Sequence, residues 1–333
     1  MSTPVRRSRH LRLLPGLPGG PDAGLGAHRR AIPLRPRQSI PRAGLVRVIL
    51  LLATAFIVTA GAAHAQALSQ SSDPFQRIFA RLYNYDFAGA HSLLDRQMEA
   101  DPEHPLVYSV RAVAHLFSEM DRLNILEADF FLNDDNMVDG HGHRQKPDPE
   151  VKRALLAALD QARTKSLTRL SVDSNDRTAL FAMCMTSGVA ADYAGFVERR
   201  QWKGVSLSRK TNRYAQQLLR LDPPVYDAYT NVGSCEYVIG SLPFFIRWFV
   251  RFENIEGNKQ KGIEALNLVA RHGAYYGPFA RILLAVVSLR EGRQEDARKI
   301  LAQLSLEYPE NTLITRELSR ITDRIDSKTA RRE

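Results

Sequence analysis

Cysteine is scarce: Cys184 and Cys235 are the only two in 333 residues. No Cys-x-x-Cys pair and no Cys/His cluster occurs, which excludes a structural zinc site of the usual spacing. Missing too are Gly-x-Ser-x-Gly, His-Glu-x-x-His and any phosphate-cradling glycine loop set after a strand. No alternating apolar/polar run long enough for a sheet appears, so strand-built folds are not indicated. Acid is rare at the start of the chain: residues 1–47 hold ten Arg, no Lys and one carboxylate, Asp22. The formal charge of +10 therefore belongs to that stretch, since the remainder carries 36 basic against 35 acidic side chains. A nucleic-acid footprint belongs on the folded body. Its absence there argues against DNA or RNA as a partner.

Residues 1–43 are rich in Arg, Pro and Gly without apolar periodicity, a composition that cannot bury a core. Within 44–65, Arg47 precedes an apolar run from Val48 to Ala63, followed by Ala63-His64-Ala65. A charged lead, a short apolar segment and small residues at a cut site describe a secretory signal peptide. Cleavage between Ala65 and Gln66 is expected, with periplasmic or secreted localisation. The run is short for a full span of roughly 20 residues. Gln66 rather than Cys at the cut gives no lipid attachment point. A signal normally begins near its charged lead, so the expected start of translation lies near Leu45 or Val46. In an oxidising compartment Cys184 and Cys235 could pair; two buried free thiols are the other reading.

Beyond the signal the chain repeats itself. Phe87–His104 and Gln294–Asn311 share a frame of Ala, then Leu four residues later, then Pro-Glu: Ala90, Leu94, Pro102 and Ala297, Leu301, Pro309. A small residue lets two helices approach, Leu fills the gap, and Pro ends the helix. After the stops, Tyr108 precedes Ala112 and Tyr229 precedes Gly233 by four residues, a knob beside a hole. Ser174, Leu180 and Cys184 follow the same frame more loosely.

These residues resemble the tetratricopeptide repeat (TPR) family, whose unit is a helix–turn–helix of about 34 residues. The fullest unit is Pro278–Asn311, with Leu284 and Ala285 on its first helix, Gly292 in the turn, then Ala297, Leu301 and Pro309. Arg281 stands where the family carries its first aromatic, and Ile78 takes the small-residue place of the opening unit. The resemblance covers most of Phe75–Asn311 with degenerate motifs. It implies an all-α helix-turn-helix repeat array, a TPR-like α-solenoid over residues 66–326, with 327–333 as a frayed tail. Leu313, Leu318, Ile321 and Ile325 mark a polar-backed closing helix, and Glu150–Leu170 a helix with Ala154, Ala157, Leu159 and Ala162 on adjoining faces. The resemblance also implies a concave surface for protein or peptide partners, non-catalytic, with no cofactor.

Several segments could carry more. Glu127–Glu150 contains Asp134, Asp135, Asp139, His141 and His143, the ligand types for a divalent metal, but no Glu closes a calcium loop. A metal-dependent hydrolytic protein using 134–143 is the rival to a scaffold. His272 precedes a glycine at a helix end, where it meets the last carbonyls, and Trp202 reads as a packing residue. Residues 241–256 fall between the first helix holding Gly233 and a partner helix starting near Lys259, so they form an insertion inside one helix pair. There Phe245, Trp248, Phe249 and Phe252 follow helical spacing beside Phe244, while Arg247 and Arg251 form a narrow separate stripe. Phe244, Phe245, Arg247, Trp248, Phe249 and Arg251 are the candidate partner contacts. Two Arg make a thin basic face for a membrane helix, so peripheral membrane contact is the lesser option.

Overall fold

The computed structural model describes residues 71–132, 145–242 and 254–330, all within one compact unit. Every regular element among the described residues is helical, so the fold is all-α. In chain order the helices are α1 (Pro74–Tyr83), α2 (Phe87–Ala100), α3 (Pro105–Arg122), α4 (Ala128–Leu132), α5 (Pro149–Val172) and α6 (Arg177–Asp192). They continue with α7 (Gln201–Leu219), α8 (Tyr229–Ser241), α9 (Lys259–His272), α10 (Gly277–Arg290), α11 (Gln294–Glu307) and α12 (Thr312–Ala330).

Local chemistry sets the helix starts. Asp73, Asp86, Asp148, Asp176 and Asn258 each accept a backbone N–H from the first turn that follows, and Pro74, Pro105, Pro149 and Pro278 stand where a missing N–H costs nothing. The ends follow the expected frame: α2 closes on Asp101 and α11 on Tyr308, each one residue before an exposed proline, Pro102 or Pro309. Ala90, Leu94, Ala112, Ala285, Ala297 and Leu301 are buried at the helix contacts. Leu284 is half-buried, and so are Tyr108 and Tyr229. The Tyr108 hydroxyl donates to the Pro102 carbonyl at 2.9 Å, and Lys165 lies over its ring. Arg281, which replaces the expected aromatic, reaches Glu307 at 2.6 Å and clamps α10 to α11.

Burial alternates along the chain. α3, α6 and α8 are covered on most sides, whereas α2, α5, α7, α9 and α11 bury one narrow stripe each. The long helices pack on their chain neighbours, α3 also packs on α6, and the short α4 packs on α10. By burial, α3, α6 and α8 are thus the inner helices and α2, α5, α7, α9 and α11 the outer ones. α6 and its continuation, residues 177–197, are long and apolar enough to cross a membrane, yet 78% of that window is buried inside the fold. It is the core helix.

The helix expected over Glu150–Leu170 forms as α5, which turns Leu155, Ala158, Leu159, Ala162 and Ser166 inward and leaves Ala154 half-buried and Ala157 exposed. Three expectations need correction. Trp202 does not pack: it is 74% exposed, on the side of α7 opposite Gly204, Ala215 and Leu218. His272 sits against the Tyr226 ring, centroids 5.0 Å apart, and is exposed. α12 runs to Ala330, past residue 326, held by Lys328 Nζ donating to Gln294 Oε1 at 3.0 Å. Its buried residues are Ile314, Glu317 and Ile321, with Leu318 and Ile325 packed beside them and Leu313 half-buried.

Candidate interaction surface

A partner-binding helix array needs an inner face that is free. Here the inner side holds the protein's own aromatics. Tyr275 and Tyr276, in the connection between α9 and α10, meet Phe79 of α1 at 5.3 and 5.7 Å and Phe181 of α6 at 5.8 Å each. Phe279 joins at 6.2 Å from Tyr276 and carries the cluster on to Phe117 of α3 at 5.9 Å. Rings at these separations attract beyond their buried area.

A carboxylate holds the connection in place. Asp227, buried in the short 3-10 turn before α8, accepts the backbone N–H groups of Ala274, Tyr275 and Tyr276 at 2.8, 2.9 and 2.6 Å. Burial pushes this carboxyl upward from its ordinary value, and the three donors pull against that shift. The first and last helix pairs meet at the same place. Tyr83 Oη donates to the Tyr275 carbonyl at 2.8 Å, Tyr275 Oη donates to Asp73 at 2.9 Å, and Asn311 Nδ2 donates to the Tyr83 carbonyl at 2.8 Å. Phe79, Phe181, Tyr275 and Tyr276 therefore join α1, α6 and the α9–α10 connection in one aromatic cluster.

The junction of α8 with α9 is built differently. Glu236 is buried and accepts the backbone N–H of Glu256 at 3.0 Å and of Asn258 at 2.7 Å. Gly257 has φ +74°, a left-handed conformation glycine adopts without strain. A Cβ at Gly240 would lie 2.8 Å from both the Gly257 carbonyl oxygen and the Lys259 nitrogen. The chain thus leaves α8 and re-enters α9 at one point. Beside that point Lys259 Nζ contacts Glu291 at 2.8 Å, and Tyr237 Oη donates to the same carboxylate at 3.0 Å. Phe244, Phe245, Arg247, Trp248, Phe249 and Arg251 lie outside the described residues, as do Asp134, Asp135, Asp139, His141 and His143.

Cys184 and Cys235 are free thiols. Burial pushes each up to about 12, so neither supplies a thiolate at neutral pH. Among the described residues no three His, Cys, Asp or Glu side chains gather as metal ligands. Acids at α4 instead pair with bases on α12: Glu127 meets Arg316 at 3.2 Å and Arg320 at 3.4 Å, and Asp129 meets Arg324 at 3.0 Å.

Asp227 and Glu236 went unnoticed in the sequence, since a buried acid looks like a solvated one until its distant partners are known. A local charge count would have found the basic outer helix α7: Arg199 to Arg220 contains seven basic residues and no acid. Compared with protein-family models, curated proteins and solved structures, the chain matches none of them.

Proposed function

We propose that the chain is an exported, non-catalytic scaffold of TPR-like helix pairs that binds protein or peptide partners in the periplasm or cell envelope. The signal-like segment 44–65 supports export. The repeated Ala/Leu frame and the all-α stack support the TPR-like reading. One observation carries the choice of surface: Glu236 of α8 holds the backbone of Glu256 and Asn258, and Gly257 turns the chain into α9, so the described residues closest in sequence to the candidate contacts form a well-bonded junction. Tyr275 and Tyr276, by contrast, are engaged by Phe79 and Phe181 within the protein itself. Aromatic and Arg side chains are the residue types that dominate binding hot spots.

The test is recovery of partners from the cell-envelope fraction with tagged protein. Replacing Phe245, Trp248 and Phe249 with Ala should lower recovery of a specific partner at least about tenfold, as expected for a hot-spot cluster. Replacing Asp139, His141 and His143 with Ala should leave recovery unchanged. A stoichiometric metal and a turnover signal that both vanish in the second variant would establish the hydrolytic rival instead.

A further inference from the structure

The outer row contains one face that nothing in the scaffold reading uses. At about 100° per residue, Trp202, Arg209, Arg213 and Arg220 fall on a single stripe of α7, and all four are exposed. That stripe is about 27 Å long at 1.5 Å per residue. α5 lies parallel beside it. Lys152 reaches Glu198 at 2.6 Å just before α7 begins, and Arg163 stands near Lys210 halfway along. Leu156 is therefore level with Trp202, and Leu167 with Arg213. Both leucines protrude, 49% and 45% exposed, Leu156 at the level of the 74% exposed Trp202 and Leu167 about 16 Å further along.

No carboxylate among the described residues pairs with Arg163, Lys210 or Arg213. The one acid on the neighbouring stripe of α5 is Asp160, and it forms no ion pair with Arg163. Burial, then Arg163, then Arg213, hold the Lys210 ammonium below its ordinary value. Cations crowded in this way repel one another, and an anionic surface relieves that repulsion.

We infer that the outer face of α5 and α7 docks on an anionic lipid surface, with Arg163, Lys210 and Arg213 over the headgroups and Trp202, Leu156 and Leu167 at the interfacial depth. A peptide needs a groove to bury its side chains, and this face is an outward helix row. A nucleic-acid backbone would match the cations but gives three protruding apolar side chains nothing to enter. A bilayer interface satisfies both features: each Lys or Arg near an anionic surface contributes about 1 kcal/mol, roughly five-fold in partitioning, and Trp favours the headgroup level.

The experiment uses the full chain carrying W248F, so that Trp202 is the only indole. Its emission is followed on adding vesicles of mixed phosphatidylglycerol and phosphatidylcholine, pure phosphatidylcholine vesicles, or a duplex oligonucleotide. The inference predicts a blue shift with the mixed vesicles, quenching by brominated lipid, and loss of both in high salt. K210E/R213E, at half-buried Lys210 and exposed Arg213, should weaken the titration by an order of magnitude or more, since roughly five-fold is lost per cation removed. Circular dichroism of that variant checks its fold, and the salt titration of the parent stands independently of it. Trp202 emission that stays unchanged while the protein sediments with the mixed vesicles would overturn the inference, because another part of the chain then makes the contact. An equal shift with phosphatidylcholine, or a shift with the oligonucleotide alone, would overturn it as well.

Discussion

At the scale of single residues, the fold depends on a few buried carboxylates that organise distant backbone. Asp227 serves three N–H groups some fifty residues away in the chain. Asp227→Ala would leave those donors buried and unpaired, and should cost about 3 kcal/mol or more; the midpoint of urea unfolding measures it. Glu119 plays a similar part, accepting from Arg122 at 2.7 and 2.8 Å and from the Asp148 N–H at 2.7 Å. A histidine pair supplies a pH dependence. His91 and His115 lie across α2 and α3 with ring centroids 4.6 Å apart. Burial first, then the neighbouring charges, lower both from 6.5, His115 to about 4. The folded state thus favours neutral rings, and between these limits the unfolded chain binds more protons. This contribution to stability is complete above pH 6.5 and is lost as pH falls towards about 4. Melting temperatures of His115→Phe should fall less steeply across that window than those of the parent.

At the scale of elements, small residues decide how closely helices approach. A Cβ on Gly262 would meet the Tyr237 nitrogen at 2.7 Å and the Gly233 carbonyl oxygen at 2.8 Å, both backbone atoms that cannot swing aside. Gly262→Ala should therefore destabilise by about 1–3 kcal/mol through overpacking of α8 against α9. A Cβ on Gly195 meets only Gln201 Oε1 at 3.7 Å, so Gly195→Ala should be tolerated. Thermal melts of the two variants check the contrast. The helix pairs themselves were legible because Ala90 with Leu94 and Ala297 with Leu301 repeat a packing pattern that local spacing reveals. The starts of α5 and α9 were legible because Asp148-Pro149 and Asn258 are capping signals. The π-helical turn at Tyr193–Val197 was not, since it closes α6 at its C-terminal end and no further helical turn follows to reveal the shift in apolar spacing. Trp202 misled because residue type suggested burial, whereas its angular position opposite Gly204 and Leu218 set its exposure.

At the scale of the whole molecule, the ends of the stack meet. Asn311 and Tyr275 tie the last two helix pairs to Tyr83 and Asp73 of the first, and Phe79, Phe181, Tyr275 and Tyr276 fill the space between. No local pattern announces such closure, because contacts between residues 83 and 311 depend on the summed rotation of every pair between them. The same closure moves the search for a binding surface away from the inner side and towards what the outer edges carry. For the candidate contacts the sequence supplied residue types, and Glu236 and Gly257, which precede and follow them in the chain, lie at the α8–α9 junction. The most direct measurement places a photo-crosslinking side chain at position 248 in the native host and compares it with one at Phe181, inside the aromatic cluster. The account predicts one discrete adduct from position 248, lost when Phe245 and Phe249 are replaced by Ala, and none from position 181. A discrete adduct from 181 with none from 248 would contradict it, because the partner would then enter the inner side.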